Sequence, residues 1–196
     1  MMKPTLYNKS SFMLYNLNCS EHLLRYFADL GKDRVDTILM VVGNHNCPID
    51  LLEKFSSGVS YEGYSDINPE EIKKRIATNP SCPEKILIKL SEDESTKVRG
   101  SLARNSNISD ELVLKLSNDD NWVVRSNIAI HNKIPIEVLK KLSNDSSSNV
   151  RINVALNPKT PKEILEQLFT DKNEDVKNAV LINPNTPDYL RVVEGL

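Results

Sequence analysis

From Val150 to Asp171 the chain reads VRINVALNPKTPKEILEQLFTD, and this stretch decides the fold because its pattern returns along the sequence at a spacing of 26 residues. The other copies are IKKRIATNPSCPEKILIKLSED from Ile72, VRGSLARNSNISDELVLKLSND from Val98, VRSNIAIHNKIPIEVLKKLSND from Val124 and a shortened VKNAVLINPNTPDYL from Val176. A fixed period in the range of about 20 to 50 residues marks a solenoid, whose units bury their apolar faces against their neighbours. Within one unit Val150 and Val154 form an i, i+4 pair, and Ile164, Leu165 and Leu168 repeat a helical stagger. Asn157-Pro158 and Thr160-Pro161 separate the two, because a proline removes a backbone donor and restricts the residue before it. Pro161 is expected in the first turn of the second helix with Thr160 as its cap, and Ser109 stands at the proline site of another copy, where a cap substitutes. Asp171 and the polar run 172–175 then make a second turn. Each unit is therefore helix, Asn-Pro turn, helix, acidic turn. Helices this short are marginal in water, so stacking must supply the stability.

With 196 residues and repeats running almost to the last one, one elongated domain is the economical expectation. A divergent earlier copy, VVGNHNCPIDLLEKF, places Asn44, Pro48, Leu51, Leu52 and Phe55 on the same template. Its surplus of nine residues falls in SSGVSYEGYSD, with Gly58, Gly63, Tyr61 and Tyr64, a composition suited to a surface loop. Upstream, Ser20 can cap a helix EHLLRYFADL that stops at Gly31 and covers the first repeat. The expected layout is a capping segment at 1–34, a divergent repeat with its inserted loop at 35–68, and five regular repeats at 69–196, the last one truncated. Tyr189, Leu190, Val192 and Val193 have no following repeat to cover them, which leaves a monomer with a closed end or a weak homodimer through that end.

The pattern V-R-x-x-[VIL]-A-x-N-P-x-T-P-x-x-[IVL]-L-x-x-L-x-x-D resembles the leucine-rich-repeat variant family, a relative of the HEAT-type α-solenoids. The resemblance covers Ile38 to Leu190 and is tightest from Val150 to Leu168. It implies an all-α, right-handed α-α superhelix, here of about six 26-residue helix-turn-helix repeats, with the second helix of each unit α or 3₁₀. The spacing is longer than the family's usual one. The chain also lacks the N-terminal cysteine cluster that holds iron–sulfur in some members, which argues against such a cluster here.

Arg99, Arg125, Arg151 and Lys177 recur at one repeat position, each six residues after Asp93, Asp119, Asp145 and Asp171. That spacing is similar to the Asp–Arg ladder of HEAT-type repeats, and a guanidinium bridging acidic turns is a sufficient architectural account. Asn79, Asn105, Asn157 and Asn183, with His131 in the same column, are the residue types that bond their own turn backbone. Charge suggests a functional surface. The segments IKKRIATN through VKNAVLIN hold eight cations and no carboxylate. If these helices line the concave side, a basic groove results, suited to an acidic peptide or a nucleic-acid backbone. Lys73, Lys74, Arg75 and Arg104 are the cations outside the ladder, with Tyr61 and Tyr64 as neighbouring specificity elements.

The net charge of −2 gives no global basic field, and no membrane association is expected. Cys19, Cys47 and Cys82 are odd in number and lack CxxC spacing; with no N-terminal signal sequence, a reducing, cytoplasmic setting is expected. There is no Gly-rich phosphate loop, GxSxG or HExxH, and His45 with Cys47 would need further ligands, so neither cofactor nor metal is expected. Trp122 could stack a base but is more simply a plug between turns. A non-catalytic scaffold that binds a protein or peptide on its concave face fits these features. The alternative is a nucleic-acid-binding solenoid.

Overall fold

The computed structural model describes residues 19–30, 35–58 and 68–193. Among them every regular element is an α-helix, and none is long and apolar enough to cross a membrane. The chain divides into two compact units, Met1–Asn107 and Ile108–Leu196. The first holds α1 (Glu21–Leu30), α2 (Val35–Gly43), α3 (Ile49–Ser56), α4 (Pro69–Ala77), α5 (Glu84–Leu90) and α6 (Thr96–Leu102). The second holds α7 (Asp110–Leu116), α8 (Trp122–Ala129), α9 (Ile136–Leu142), α10 (Ser148–Leu156), α11 (Lys162–Phe169), α12 (Glu174–Leu181) and α13 (Asp188–Val193). The second helix of each repeat is thus α-helical, not 3₁₀.

In the first unit α1 packs on α2, and α2, α4 and α6 stack in succession. In the second unit α8, α10 and α12 do the same. We call these stacked helices the A helices and those between them the B helices. The A helices bury the apolar positions of their motif, as in Val150, Val154 and Ala155, with Leu181 of α12 only half-buried. Each B helix buries three more, such as Val138, Leu139 and Leu142 in α9 or Ile164, Leu165 and Leu168 in α11. A fully buried side chain of this kind stabilises by about 1.5–3 kcal/mol, which is how helices of two turns persist.

Helix starts follow local chemistry. Four A helices begin on a side-chain cap: Asn68 accepts from Glu70 N, Ser95 from Lys97 N, Asn121 from Val123 N and Asn173 from Val176 N. Ser109 caps α7 through Leu112 N, in place of proline. Pro48, Pro83, Pro135 and Pro161 occupy the cap position itself, one residue earlier than the expected first-turn site. Thr160 consequently caps nothing: its hydroxyl donates backwards to Val154 O at 2.5 Å, closing the end of α10. Gly58, at φ 74°, takes the left-handed conformation just past α3.

Ser20 Oγ accepts from Leu23 N at the head of α1, which buries Leu24 and Ala28. Arg25 ties this helix to α3 with paired bonds to Asp50 of 2.7 and 2.9 Å. Residues 1–18, the stop at Gly31 and the Tyr61/Tyr64 insertion lie outside the described residues, as does the side chain of Val193. At the far end Leu190 is buried, whereas Tyr189 and Val192 are exposed, so only part of the expected uncovered set faces outward.

Val154 is fully buried between stacked A helices. Val154→Asp should place an uncompensated charge there and cost on the order of 3–5 kcal/mol, read as a large fall in the denaturation midpoint. A variant that unfolds at the parent's midpoint would contradict this packing.

Candidate functional site

Two polar ladders run through the turns, one at each end of the A helices. At the N-terminal end Arg125 donates from Nε and Nη2 to both carboxylate oxygens of Asp145, at 2.6 and 2.8 Å. Arg151 does the same to Asp171, at 2.7 and 2.9 Å. The carboxylate partner lies 20 residues downstream, in the acidic turn that closes the arginine's own repeat, while the aspartate six residues upstream ends the preceding repeat. The upstream aspartate is used differently: Arg125 Nη1 donates to Asp119 O, Arg151 Nη1 to Asp145 O and Arg99 Nη1 to Asp93 O, each at 2.8 Å. Each aspartate also folds its own turn, Asp145 Oδ1 accepting from Ser147 N and Asp119 Oδ1 from Asn121 N, both at 2.9 Å. Stacking thus turns one residue into a node with three kinds of bond.

Lys73 belongs to this ladder. Its Nζ donates to Asp93 at 2.6 Å, 20 residues away, in the geometry of Arg125 on Asp145. Lys73 stands one period before Arg99, so the repeat register held this role, which the patch assignment overlooked. Lys177 ends the series differently, on Glu174 of its own helix at 2.7 Å. That pair is exposed (30% and 77% for the side chains) and contributes little, whereas Arg151 and Asp171 are only 8% and 10% exposed.

At the C-terminal end of the A helices the second ladder is made of asparagines. Asn79, Asn105, Asn157 and Asn183 are all buried. Each accepts through Oδ1 from the N–H two residues on, Asn79 from Ser81 and Asn105 from Asn107 at 2.8 and 2.9 Å. Each also donates through Nδ2 to the previous repeat: Asn79 to Val42 O and Asn44 O, Asn105 to Ala77 O and Asn79 O, Asn183 to Ala155 O and Asn157 O. The local bond was legible in the sequence, but the cross-repeat bond was not. His131 makes the local bond through Nδ1, which accepts from Lys133 N at 3.3 Å. After the last rung Arg191 Nη2 takes over, donating to Asn183 O at 2.9 Å.

The remaining candidate cations do not form a free basic patch. Lys74 pairs with Glu71 at 2.7 Å on α4. Arg75 lies across α2 so closely that a Cβ on Gly43 would fall 2.2 Å from its Nε, and it shares a small cavity with Asp36 and Glu71. Arg104 is exposed and donates weakly to Ser101 Oγ at 3.4 Å. The A helices also begin earlier than the motif, so Glu70 and Glu71 lie on α4 and Glu174 and Asp175 on α12. Carboxylates are therefore not confined to the B helices and turns. Glu70 accepts from Ser95 Oγ and Lys97 Nζ at 2.6 and 3.1 Å, and these bonds, Ser95 first, hold its carboxyl below the ordinary range.

A further surface went unread in the sequence. In the second unit Ile130, Leu156 and Ile182 occupy one repeat position and are all exposed. The same position in the first unit holds Thr78 and Arg104. Trp122 is the first residue of α8 and 44% exposed, so it plugs no gap. The signal was a column 26 residues apart in which polar side chains give way to aliphatic ones.

All three cysteines are buried and unpaired, and burial pushes the Cys47 and Cys82 thiols up to about 12, which makes them inert packing groups. Among the described residues no three His, Cys, Asp or Glu side chains gather to hold a metal.

The ladder has a pH signature. Arg151 lowers the Asp171 carboxyl, against opposing burial. At Asp145 burial pushes upward but is outweighed by the Arg125 bonds and Ser147 N–H, leaving it lowered as well. A carboxyl lowered by folding contributes stability that is complete above its unfolded value of about 4 and lost as pH falls through the folded value. The denaturation midpoint should hold steady above pH about 5 and decline in acid. Asp171→Asn should cost on the order of 3–5 kcal/mol at neutral pH, by leaving Arg151 buried without its counter-charge, and should flatten part of the acid decline. An unchanged acid slope would sink this assignment.

No family model matches the sequence, and no curated protein does. A solved structure described as "a leucine-rich repeat variant with a novel repetitive protein structural motif" is similar, with a TM-score of 0.61 and 16% identity over 96% of this chain and 82% of that one. At that identity the likeness speaks for architecture alone, and it agrees with the resemblance carried by the repeat motif. The chain has the all-helical, repeated fold of a leucine-rich repeat variant.

Proposed function

We propose that this chain is a non-catalytic scaffold that binds a protein or peptide on the exposed faces of its A helices, which would line the concave side of a solenoid. One observation carries the proposal: the positions that hardly change between repeats are used up in the buried ladders, while the exposed A-helix positions differ sharply between units. At the position that ends the A helices the first unit holds Thr78 and Arg104, and the second Ile130, Leu156 and Ile182, all exposed. A fixed frame carrying a variable surface suits recognition, and a repeat array offers it without a pocket.

The second reading, a nucleic-acid interface, is favoured by the exposed cations Arg75 and Arg104 of the first unit. It is weakened by Lys73, Arg125 and Arg151, whose charges are already paired with aspartates. Fluorescence anisotropy with a single-stranded RNA oligonucleotide and a DNA duplex, at low and physiological salt, separates the two. The scaffold reading expects weak binding that Lys74→Gln, Arg75→Gln and Arg104→Gln together barely alter. Tight binding with a steep salt slope, abolished by that triple variant, would favour nucleic acid instead.

A further inference from the structure

The second unit carries a surface whose chemistry specifies an occupant. Ile130, Leu156 and Ile182 are 50%, 39% and 73% exposed and sit at one repeat position on or just past α8, α10 and α12. These helices stack in that order, so the three side chains form a row across them. Three residues beyond the first two stand Lys133 and Lys159, both exposed. Neither ammonium has a carboxylate partner among the described residues, in contrast to Lys73 and Lys177. Earlier on the same helices stand the exposed amides Asn149 and Asn178 and the half-buried Asn153, with exposed carboxylates at Glu174 and Asp175 at the start of α12. An apolar row beside a row of uncompensated cations is complementary to a chain that alternates aliphatic and acidic side chains.

Spacing sets the conformation of that chain. Neighbouring stacked helices lie about 8–10 Å apart. A β-extended chain turns residues i and i+3 to opposite faces, whereas a polyproline II chain returns to the same face every third residue after about 9.3 Å. Three residues of an extended, polyproline II peptide therefore match one repeat. An α-helical ligand returns to the row only after two turns, about 10.8 Å, which overshoots that spacing.

Resting on the scaffold reading above, we infer that Ile130, Leu156 and Ile182, flanked by Lys133 and Lys159, bind an extended segment of another protein with an aliphatic side chain at every third position and carboxylates between. The aliphatic side chains lie on the row, and the carboxylates reach the two lysines. Affinity then comes from apolar burial, and orientation from the cations.

A random peptide library displayed on phage, selected on the full chain, tests this. Selected peptides are expected to carry Leu, Ile or Val at i, i+3 and i+6 with Glu or Asp between. Synthetic copies should lose affinity roughly tenfold or more on the Ile130→Ser, Leu156→Ser, Ile182→Ser variant. A second variant, Lys133→Gln with Lys159→Gln, touches only exposed side chains and should weaken the same peptides and remove most of their salt dependence. Thermal melts of both variants identify loss by unfolding, in which case the lysine variant alone decides. Selected peptides that bind both variants as well as the parent overturn this site while leaving the scaffold reading intact. Peptides with a four-residue aliphatic spacing or a basic character also overturn it. A parent chain that selects no peptide overturns the site and the scaffold reading together.

Discussion

The structure depends on satisfying backbone groups at turns that recur every few residues. Two turns per repeat leave carbonyls and N–H groups at helix ends unpaired where the next repeat excludes water, and such groups cannot be buried without partners. One asparagine side chain meets both needs at once, accepting from its own turn and donating into the preceding one. Asn105 shows the arrangement: it serves Asn107 N locally and reaches back to Ala77 O and Asn79 O. A serine could supply the local bond but is too short to span the repeats, and an aspartate has no proton to donate to a carbonyl. The column tolerates histidine at His131, which still accepts from its own turn through Nδ1.

The charged ladder performs a related task with different energetics. Buried ion pairs return little net stability because desolvating two charges costs nearly what their attraction regains. Their geometry is exacting, however. Arg151 holds Asp171 with two bonds and Asp145 O with a third, so a stack displaced by one residue would strand a guanidinium and a carboxylate away from water. Apolar helix faces built from Val, Ile and Leu would tolerate such slips more readily. The ladder thus fixes which turn meets which, while the apolar positions supply most of the binding between repeats.

With both turns committed to the frame, the exposed positions of the A helices are released from structural duty. The first unit uses them for charges that find partners nearby, such as Lys74 on Glu71. The second has aliphatic side chains where the A helices end and, three residues on, lysines in the turns. An exposed aliphatic residue alone means nothing, but three at one repeat position on stacked helices form a surface that water wets poorly.

The sequence by itself determined the period, the helix pairs, their buried positions and the residues of both ladders, because each follows from local propensity repeated at a constant interval. Val150, Val154 and Leu165 could be placed in the core from the pattern alone, since an i, i+4 apolar pair has only one face to bury. Tertiary structure decided the partners. Arg125 lies six residues from Asp119 and 20 from Asp145, and linear distance favours the former, yet stacking carries the guanidinium onto the downstream carboxylate. Likewise Lys73 looked like a surface cation until the stack set Asp93 against it. Where α4 begins, three residues before its motif, determined that Glu70 and Glu71 share a helix with Lys74 and Arg75. Contacts between repeats are separated by a fixed stretch of chain whose path no local preference specifies, so the pattern could name the rungs while only the packed helices could join them.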